Sequence, residues 1–275
     1  MIDYHKLDIK LKSSDITPFS FIGSTLRGAF GVSLKKVVCI NPSLKCKGCF
    51  AKDSCLYYEF FEEKNKAHKY RFDIKLNPKK YNFKLYLFED ATQRLPYVVS
   101  ALHKMLTKQG LTRDRKTFEI KKIKCNDKTI YKDGKFDLKD IKPQRFEIDS
   151  ISKDINLELK TPLRIKHQNK LLNKKPPLEI LLYSIQNRLA QIKDEPIAKL
   201  PFEPSYKEGR YNITFKDQTR RSNRQKTKLQ IGGIIGEINY HDIDEKSYIL
   251  LKLGEIIGVG KQTVFGMGKI KVKNL

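Results

Sequence analysis

The sequence has no tryptophan, no apolar run near the roughly 20 residues that span a bilayer, and far fewer acids than bases. Its 31 Asp and Glu face 56 Lys and Arg. Without a spanning run a membrane helix is excluded. The first residues, MIDYHKLDIKLK, are too charged for a signal peptide and alternate like a strand, unlike the amphipathic basic helix of a membrane-surface protein. No lipidation motif accompanies them. These absences predict a cytoplasmic protein with no membrane partner, in which the sequon Asn212-Ile213-Thr214 has no chemical meaning. The shortage of acids leaves a formal charge of +25. Such an excess repels itself unless an anion binds it, and nucleic acid fits best, because neutralised phosphates release counterions whatever the base sequence. In place of Trp stand 13 Tyr and 15 Phe. Many of these fill cores, and some can stack on bases.

The 275 residues allow two domains with separate cores. Leu7, Ile9 and Leu11 alternate with charged residues, the period of a half-buried strand. Ile22, Leu26, Phe30, Leu34 and Val38 follow at helical spacing. Gly23, Gly28 and Gly31 interrupt that helix at a cost of about 1 kcal/mol each, which predicts close approach of another backbone. Phe72, Ile74 and Leu76, then Phe83, Leu85 and Leu87, read as a strand pair around Asn77-Pro78. A helix through Val98, Leu102 and Leu106 closes at Gly110, and Phe118, Ile120 and Ile123 give a last strand. After a charged stretch broken by Gly134 and Pro143 the pattern restarts: a strand at Ile155–Leu159, a helix opened by Pro176-Pro177, a strand at Tyr211–Phe215 and a long strand over 224–240 broken at Gly232-Gly233. A helix at Tyr248–Ile257 and a strand at Lys269–Val272 complete it. The prediction is an α+β chain of two tandem ferredoxin-like (RRM-like, βαββαβ) domains. They occupy 1–130 and 151–275, with 131–150 as linker and a cysteine-rich insertion at about 39–66.

Three motifs carry chemistry. GVGKQTVFGMG, residues 258–268, fails as a Walker loop, because five residues separate Gly254 from Gly260 and Gln262 follows Lys261. It fails as a dinucleotide fingerprint because it leaves a helix and enters a strand. What remains is a glycine loop at Gly258, Gly260, Gly266 and Gly268, whose backbone N–H groups, with Lys261 and Gln262, can meet phosphates. A helix cap plus a strand bulge explains one or two of these glycines. Upstream, TRRSNRQKTKLQIGG places Arg220 and Arg221 before Arg224, Lys226 and Lys228; read as a strand, the last three share one face. A solvated edge strand competes, but no acid follows until Glu237, which favours RNA. Finally, Cys39, Cys46, Cys49 and Cys55, with their central Cys-x2-Cys, have the spacing of a four-thiolate structural zinc site. Disulfides are disfavoured in a reducing cytosol. Unliganded thiols and an iron–sulfur cluster are the alternatives.

GVGKQTVFGMG, TRRSNRQKTKLQIGGIIGEINY, TPLRIK at 161–166 and FIGSTLRGAFGVSLKKVVC with its cysteines together resemble the CRISPR-associated repeat-cleaving endoribonucleases, the Cas-six family of RAMP proteins. The resemblance covers nearly the whole chain. It implies tandem ferredoxin-like domains that bind CRISPR repeat RNA, single-stranded or as a stem-loop, and cut precursor transcripts without a metal cofactor. It also implies an active site along the first helix and the segment after it. Metal-independent cleavage uses the substrate's 2′-hydroxyl, leaving a 5′-hydroxyl and a 2′,3′-cyclic or 3′ phosphate, so the protein must orient, stabilise and protonate. The first helix carries neither His nor Tyr, which departs from a His-based site. It offers Arg27 to stabilise a phosphorane and Lys35 as acid, spaced by eight residues with Gly31 between. His68 is the best placed of five histidines; His5, His103, His167 and His241 read as structural or exposed. Solvated side chains are the plainer reading of Arg27, Lys35 and His68. Two other classes share these features: a non-catalytic RAMP subunit holding guide RNA in a CRISPR effector complex, and a zinc-dependent DNA-binding regulator, for which no recognition helix is evident.

Overall fold

The computed structural model describes residues 1–12, 16–43, 45–112, 114–217, 219–222 and 227–275, and of 219–222 and 227–230 the backbone alone. It divides into two units, Met1–Arg145 and Phe146–Leu275.

In the first unit β1 (Asp3–Leu11) leads into α1 (Gly23–Val38), followed by β2 (Tyr70–Asp73), β3 (Phe83–Phe88), α2 (Leu95–Lys104) and β4 (Ile120–Cys125). The antiparallel order β2-β3-β1-β4 is the ferredoxin-like arrangement. Alternation along β1 buries His5, Leu7, Ile9 and Leu11, and the register sets His5, Leu7 and Ile9 beside Leu87, Leu85 and Phe83. This forms one apolar face. Phe30 of α1 closes on it, with ring centroids 6.0 Å from Tyr70 and 5.8 Å from Phe72. Each such fully buried side chain contributes about 1.5–3 kcal/mol. His5 is structural: Asn126 Nδ2 donates to its Nδ1 across 2.9 Å, and burial pushes the imidazole down to about 4.

The expected linker at 131–150 is, as far as Arg145, part of this unit. β5 (Lys128–Lys132) and β6 (Lys135–Phe136) extend the sheet from β4, and β7 (Gln144–Arg145) pairs with the start of β1. Gly134 reads as a chain break in sequence. In the fold Asp133 and Gly134, at φ 50° and 80°, make the turn of the β5–β6 hairpin.

The second unit repeats the order with two excursions. β8 (Ile155–Leu163) is followed by a small hairpin, β9 (Lys166–His167) and β10 (Lys170–Leu171), then α3 (Leu178–Ile192) and β11 (Lys207–Lys216). A second hairpin, β12 (Thr219–Ser222) and β13 (Thr227–Gln230), precedes β14 (Gly233–His241), α4 (Glu245–Ile257) and β15 (Ile270–Asn274). The antiparallel sheet runs β11-β14-β8-β15. The single strand expected over 224–240 is therefore two elements. They divide at Gly232-Gly233, where a β-carbon on Gly233 would lie 2.6 Å from the Leu163 carbonyl oxygen. The described part of the basic stretch does not run along the sheet: Lys228 pairs with Arg221, and Arg220 with Leu229, in a hairpin of its own. Arg224 and Lys226 lie outside the described residues. Asp244 caps α4 by accepting from the Ser247 N–H at 3.0 Å. At its other end the buried Arg188 donates Nε to the Ile257 carbonyl at 2.7 Å, a cation against the negative end of the helix. Among the described residues no helix is long and apolar enough to cross a membrane.

The α1 glycines differ in kind. A β-carbon at Gly28 would meet nothing within 4 Å, whereas at Gly31 it would lie 2.6 Å from Cε1 of Phe61. Gly31 thus admits a neighbouring ring rather than the backbone that the sequence suggested. Gly28→Ala should stabilise the protein by about 1 kcal/mol through helix propensity. Gly31→Ala should cost about 1–3 kcal/mol through overpacking. Urea denaturation of the two variants checks the pair, and equal effects would refute this assignment.

Candidate functional site

The candidate catalytic residues line an aromatic wall in the first unit. Leaving the cysteine segment, the chain makes one wide helical turn, Tyr58–Glu62, with the Glu63 N–H bonded to the Tyr58 carbonyl. Tyr57 and Phe61, four residues apart, stack on this turn with ring centroids 5.3 Å apart and planes within 9°. Arg27 lies 4.8 Å from the Phe61 centroid and Lys35 4.9 Å from that of Tyr57. Two turns of α1 thus present cation, glycine and cation to a pair of stacked rings. Such contacts contribute about 0.5–2 kcal/mol each, according to desolvation. Both cations are half-buried and face their own chain's aromatic rings, where the sequence suggested a solvated helix face.

His68 joins the same wall. Its ring centroid is 6.0 Å from that of Tyr70, and Tyr70 also touches Phe60, Phe61 and Phe30. Burial holds the Tyr70 phenol above its ordinary range, with the neighbouring Arg27 guanidinium opposing. One ring therefore separates Arg27 from His68. His68 Nδ1 lies 3.1 Å from the Glu59 carbonyl oxygen. A carbonyl can only accept, so Nδ1 donates, and in the neutral ring Nε2 carries the lone pair. Lys35 stands two helical turns from Arg27, at the Tyr57 end.

Glu59 was not singled out in the sequence, where it is one of several acids in YYEFFEEK. In the fold its Oε1 is buried without a hydrogen-bond partner. Burial, then the Asp90 charge, raises the carboxyl to about 7.

In the second unit TPLRIK, the glycine pair and the glycine loop converge. Segment Thr161–Arg164 runs between the glycine pair and the glycine loop. Arg164 Nη1 donates to the Gly232 carbonyl at 3.0 Å, and the Arg164 carbonyl accepts from the Lys261 N–H at 2.8 Å. Gly268 N–H donates to Pro162 O at 3.0 Å, and the Thr161 hydroxyl donates to Gly266 O at 2.8 Å. The glycines are needed for these approaches. A β-carbon on Gly260 would lie 2.5 Å from Arg164 O, and one on Gly268 1.8 Å from Val259 O, at φ values of 75° and 65°. Gly258 and Gly266 also have positive φ.

The expected phosphate cradle is largely closed. The N–H groups of Gly258, Gly260, Lys261, Gly266 and Gly268 are all bonded within the protein, that of Gly260 to the Ser184 hydroxyl at 3.0 Å. Gln262, in the left-handed region at φ 65°, has its Oε1 buried. What the loop offers outward is the exposed Lys261. Lys166, His167 and Lys170, exposed on the β9–β10 hairpin just beyond Arg164, stand on the same short stretch of chain. Of this hairpin the sequence singled out Lys166, as the end of TPLRIK, and His167, but not Lys170. For Arg220, Arg221 and Lys228 the structure gives the hairpin backbone.

Cys39, Cys49 and Cys55 border one small cavity, together with Asn41. Cys46 is joined to Cys49 by a tight turn in which the Cys49 N–H bonds the Cys46 carbonyl at 3.3 Å.

Fold and surface thus define a basic protein of two tandem ferredoxin-like units with a glycine-locked cationic edge. Residues 157–270 match the family profile described as CRISPR-associated endoribonuclease Cas6, and residues 2–145 match one described as an N-terminal domain. The second unit thus carries a Cas6-family domain. An uncharacterized protein of Archaeoglobus fulgidus is 25% identical over 284 residues, covering 92% of each chain. A Cas6 product complex of Thermus thermophilus superposes with a TM-score of 0.59 at 14% identity over 99% of each chain. A Cas6-related protein from Pyrococcus furiosus gives a TM-score of 0.50 at 13% identity over 99% of each. The structural likenesses bear on the fold.

The Glu59 carboxyl makes stability depend on pH in a defined direction. Its folded value lies above its free value, so the native state holds the proton longer, and its contribution present below about 4.5 is lost as pH rises to about 7. In parallel denaturation series, Glu59→Gln should gain on the wild type across that window, by on the order of 1 kcal/mol after allowance for partial exposure. A difference that stays flat with pH would show that the carboxyl is not perturbed.

Proposed function

We propose that this chain is a metal-independent endoribonuclease that binds CRISPR repeat RNA in the cytoplasm and cuts precursor transcripts into guide units. The observation that carries the reading is the convergence of TPLRIK, the glycine pair and the glycine loop beside the exposed Lys166, His167, Lys170 and Lys261. With Arg220, Arg221 and Lys228 of the β12–β13 hairpin, and with Arg224 and Lys226 of the same stretch of sequence, the lysines track the phosphate backbone.

In the proposed chemistry the ribose 2′-oxygen attacks the adjacent phosphorus and the bond to the 5′-oxygen breaks. The products are a 2′,3′-cyclic phosphate and a 5′-hydroxyl. His68 Nε2, whose lone pair is defined by the Nδ1–H contact with Glu59 O, receives the 2′-hydroxyl proton. Arg27 stabilises the phosphorane charge. Lys35 protonates the departing 5′-oxygen.

A second reading, an RNA-holding RAMP subunit of a CRISPR effector complex, draws on the engagement of Arg27 and Lys35 with Phe61 and Tyr57. Binding of repeat RNA without cleavage would select it. For the nuclease, cutting should proceed in EDTA and stop when the nucleotide 5′ of the cut is 2′-deoxy. Cutting that requires Mg²⁺, or that survives the deoxy substitution, overturns the chemistry.

Binding and chemistry should separate by mutation. Changing Arg224, Lys226 and Lys228 to Ala should weaken RNA affinity and flatten its salt dependence by roughly 0.7 in log–log slope for each lost single-strand contact, with cleavage partly restored at saturating enzyme. Arg27→Ala, Lys35→Ala or His68→Ala should instead lower the single-turnover rate at saturation by about 10²-fold while most affinity remains. If all three leave that rate unchanged, the reaction centre lies elsewhere.

A further inference from the structure

We infer that Cys39, Cys46, Cys49 and Cys55 hold one zinc ion, and that this ion, in place of an apolar core, keeps the segment between them folded against the end of α1. The first observation is an absence of burial. Among the described residues from Cys39 to Cys55 none is buried, while Ile40 and Phe50 are 70% and 76% exposed. A segment of this length without buried apolar surface cannot offset its own ordering entropy, so a cross-link has to contribute. The second observation is where the thiols stand. Cys39 at the C-terminal end of α1, Cys49, and Cys55 shortly before the Tyr58–Glu62 turn border one cavity.

The Cys46-x2-Cys49 pair has the spacing of a metal knuckle and lies on a turn. Cys46 and Cys49 are the ends of a turn closed by the Cys49 N–H bond to the Cys46 carbonyl, with Gly48 at φ 70°. Asn41 Nδ2 donates to Cys49 Sγ across 3.4 Å, a bond that stabilises a thiolate. The sulfurs are not gathered into a ligand shell: no group of three or more His, Cys, Asp or Glu among the described residues is placed to hold a metal. Zinc binding therefore closes the segment as well as filling it. Four thiolates favour a soft divalent ion and leave no open position, so the role is structural.

The consequence reaches the aromatic wall. Cys55 lies two residues before Tyr57 and three before the turn that carries Phe61, so the ion fixes the rings that clamp Lys35 and Arg27.

The test needs no activity. Protein purified under reducing conditions without chelator should contain one zinc per chain, and a thiol-specific reagent should release it in proportion to four thiols modified. Cobalt substitution should give the absorption of tetrahedral thiolate coordination. Chelation should increase hydrogen exchange across Cys39–Glu63 while leaving β8, β14 and β15 protected, and Cys49→Ser should lose the metal while Ser54→Ala keeps it. Metal-free protein whose exchange is unaffected by added zinc overturns the inference, as does iron with visible absorbance. Because none of these readouts involves RNA, failure here is distinguishable from failure of the nuclease reading.

Discussion

Close backbone approach to the Thr161–Arg164 segment is the constraint on which the second unit's surface depends. Gly233, Gly260 and Gly268 sit where a β-carbon would lie 2.6, 2.5 and 1.8 Å from a backbone oxygen, the first two against this segment and the third within the loop that grips it. These approaches let Pro162 and Arg164 offer their carbonyls to the loop, and let the Arg164 guanidinium reach the Gly232 carbonyl. A loop fixed in this way has little freedom left to reorganise around a ligand. It acts as a rigid base for Lys261 and for the two hairpins that leave the sheet beside it. Preorganisation of that kind lowers the ordering cost of binding, which flexible lysine-rich loops cannot do.

The fold was legible because two different periods alternate in a recognisable order. Leu7, Ile9 and Leu11 repeat every second residue, Leu26, Phe30 and Leu34 every fourth, and each period corresponds to one buried face. The limits were set by what period cannot encode. Arg224 to Lys228 alternate as a strand does, yet alternation does not say whether a strand joins the main sheet or pairs in a hairpin of its own, as β12 and β13 do. A charged stretch with Gly134 looks like a connector, although it supplies a sheet edge.

The candidate sites were legible as residue types and less so as roles. Four regularly spaced glycines suggested N–H groups open to phosphate, but sequence does not reveal how many of those groups are bonded inward, and here all four are, as is that of Lys261. Arg27, Gly31 and Lys35 were visible as one helix face. Their partners Tyr57 and Phe61 lie on the far side of an insertion, and no local pattern announces that pairing. Glu59 escaped notice because a raised carboxyl depends on burial, which YYEFFEEK does not disclose.

The charge surplus is placed as well as large. In the second unit, acids are taken up by the strand lysines: Glu158 of β8 meets Lys160 and Lys273 at 2.8 and 3.0 Å, and Glu255 of α4 meets Lys271 at 3.2 Å. Such surface pairs contribute little stability, on the order of 0–1 kcal/mol. Their effect is to neutralise the sheet. Among the described residues Lys166, Lys170 and Lys261 have no such ion pair, and they stand at the glycine-locked edge. A polyanion approaching this unit therefore meets a field concentrated at that edge and weakened over the sheet. Among the described residues the central strands carry Glu158, Glu237 and Asn239 on the polar face, in place of the exposed aromatic residues on which an RRM stacks bases. Strand-end cations and a rigid loop, rather than a stacking platform, then determine how nucleic acid would lie on it.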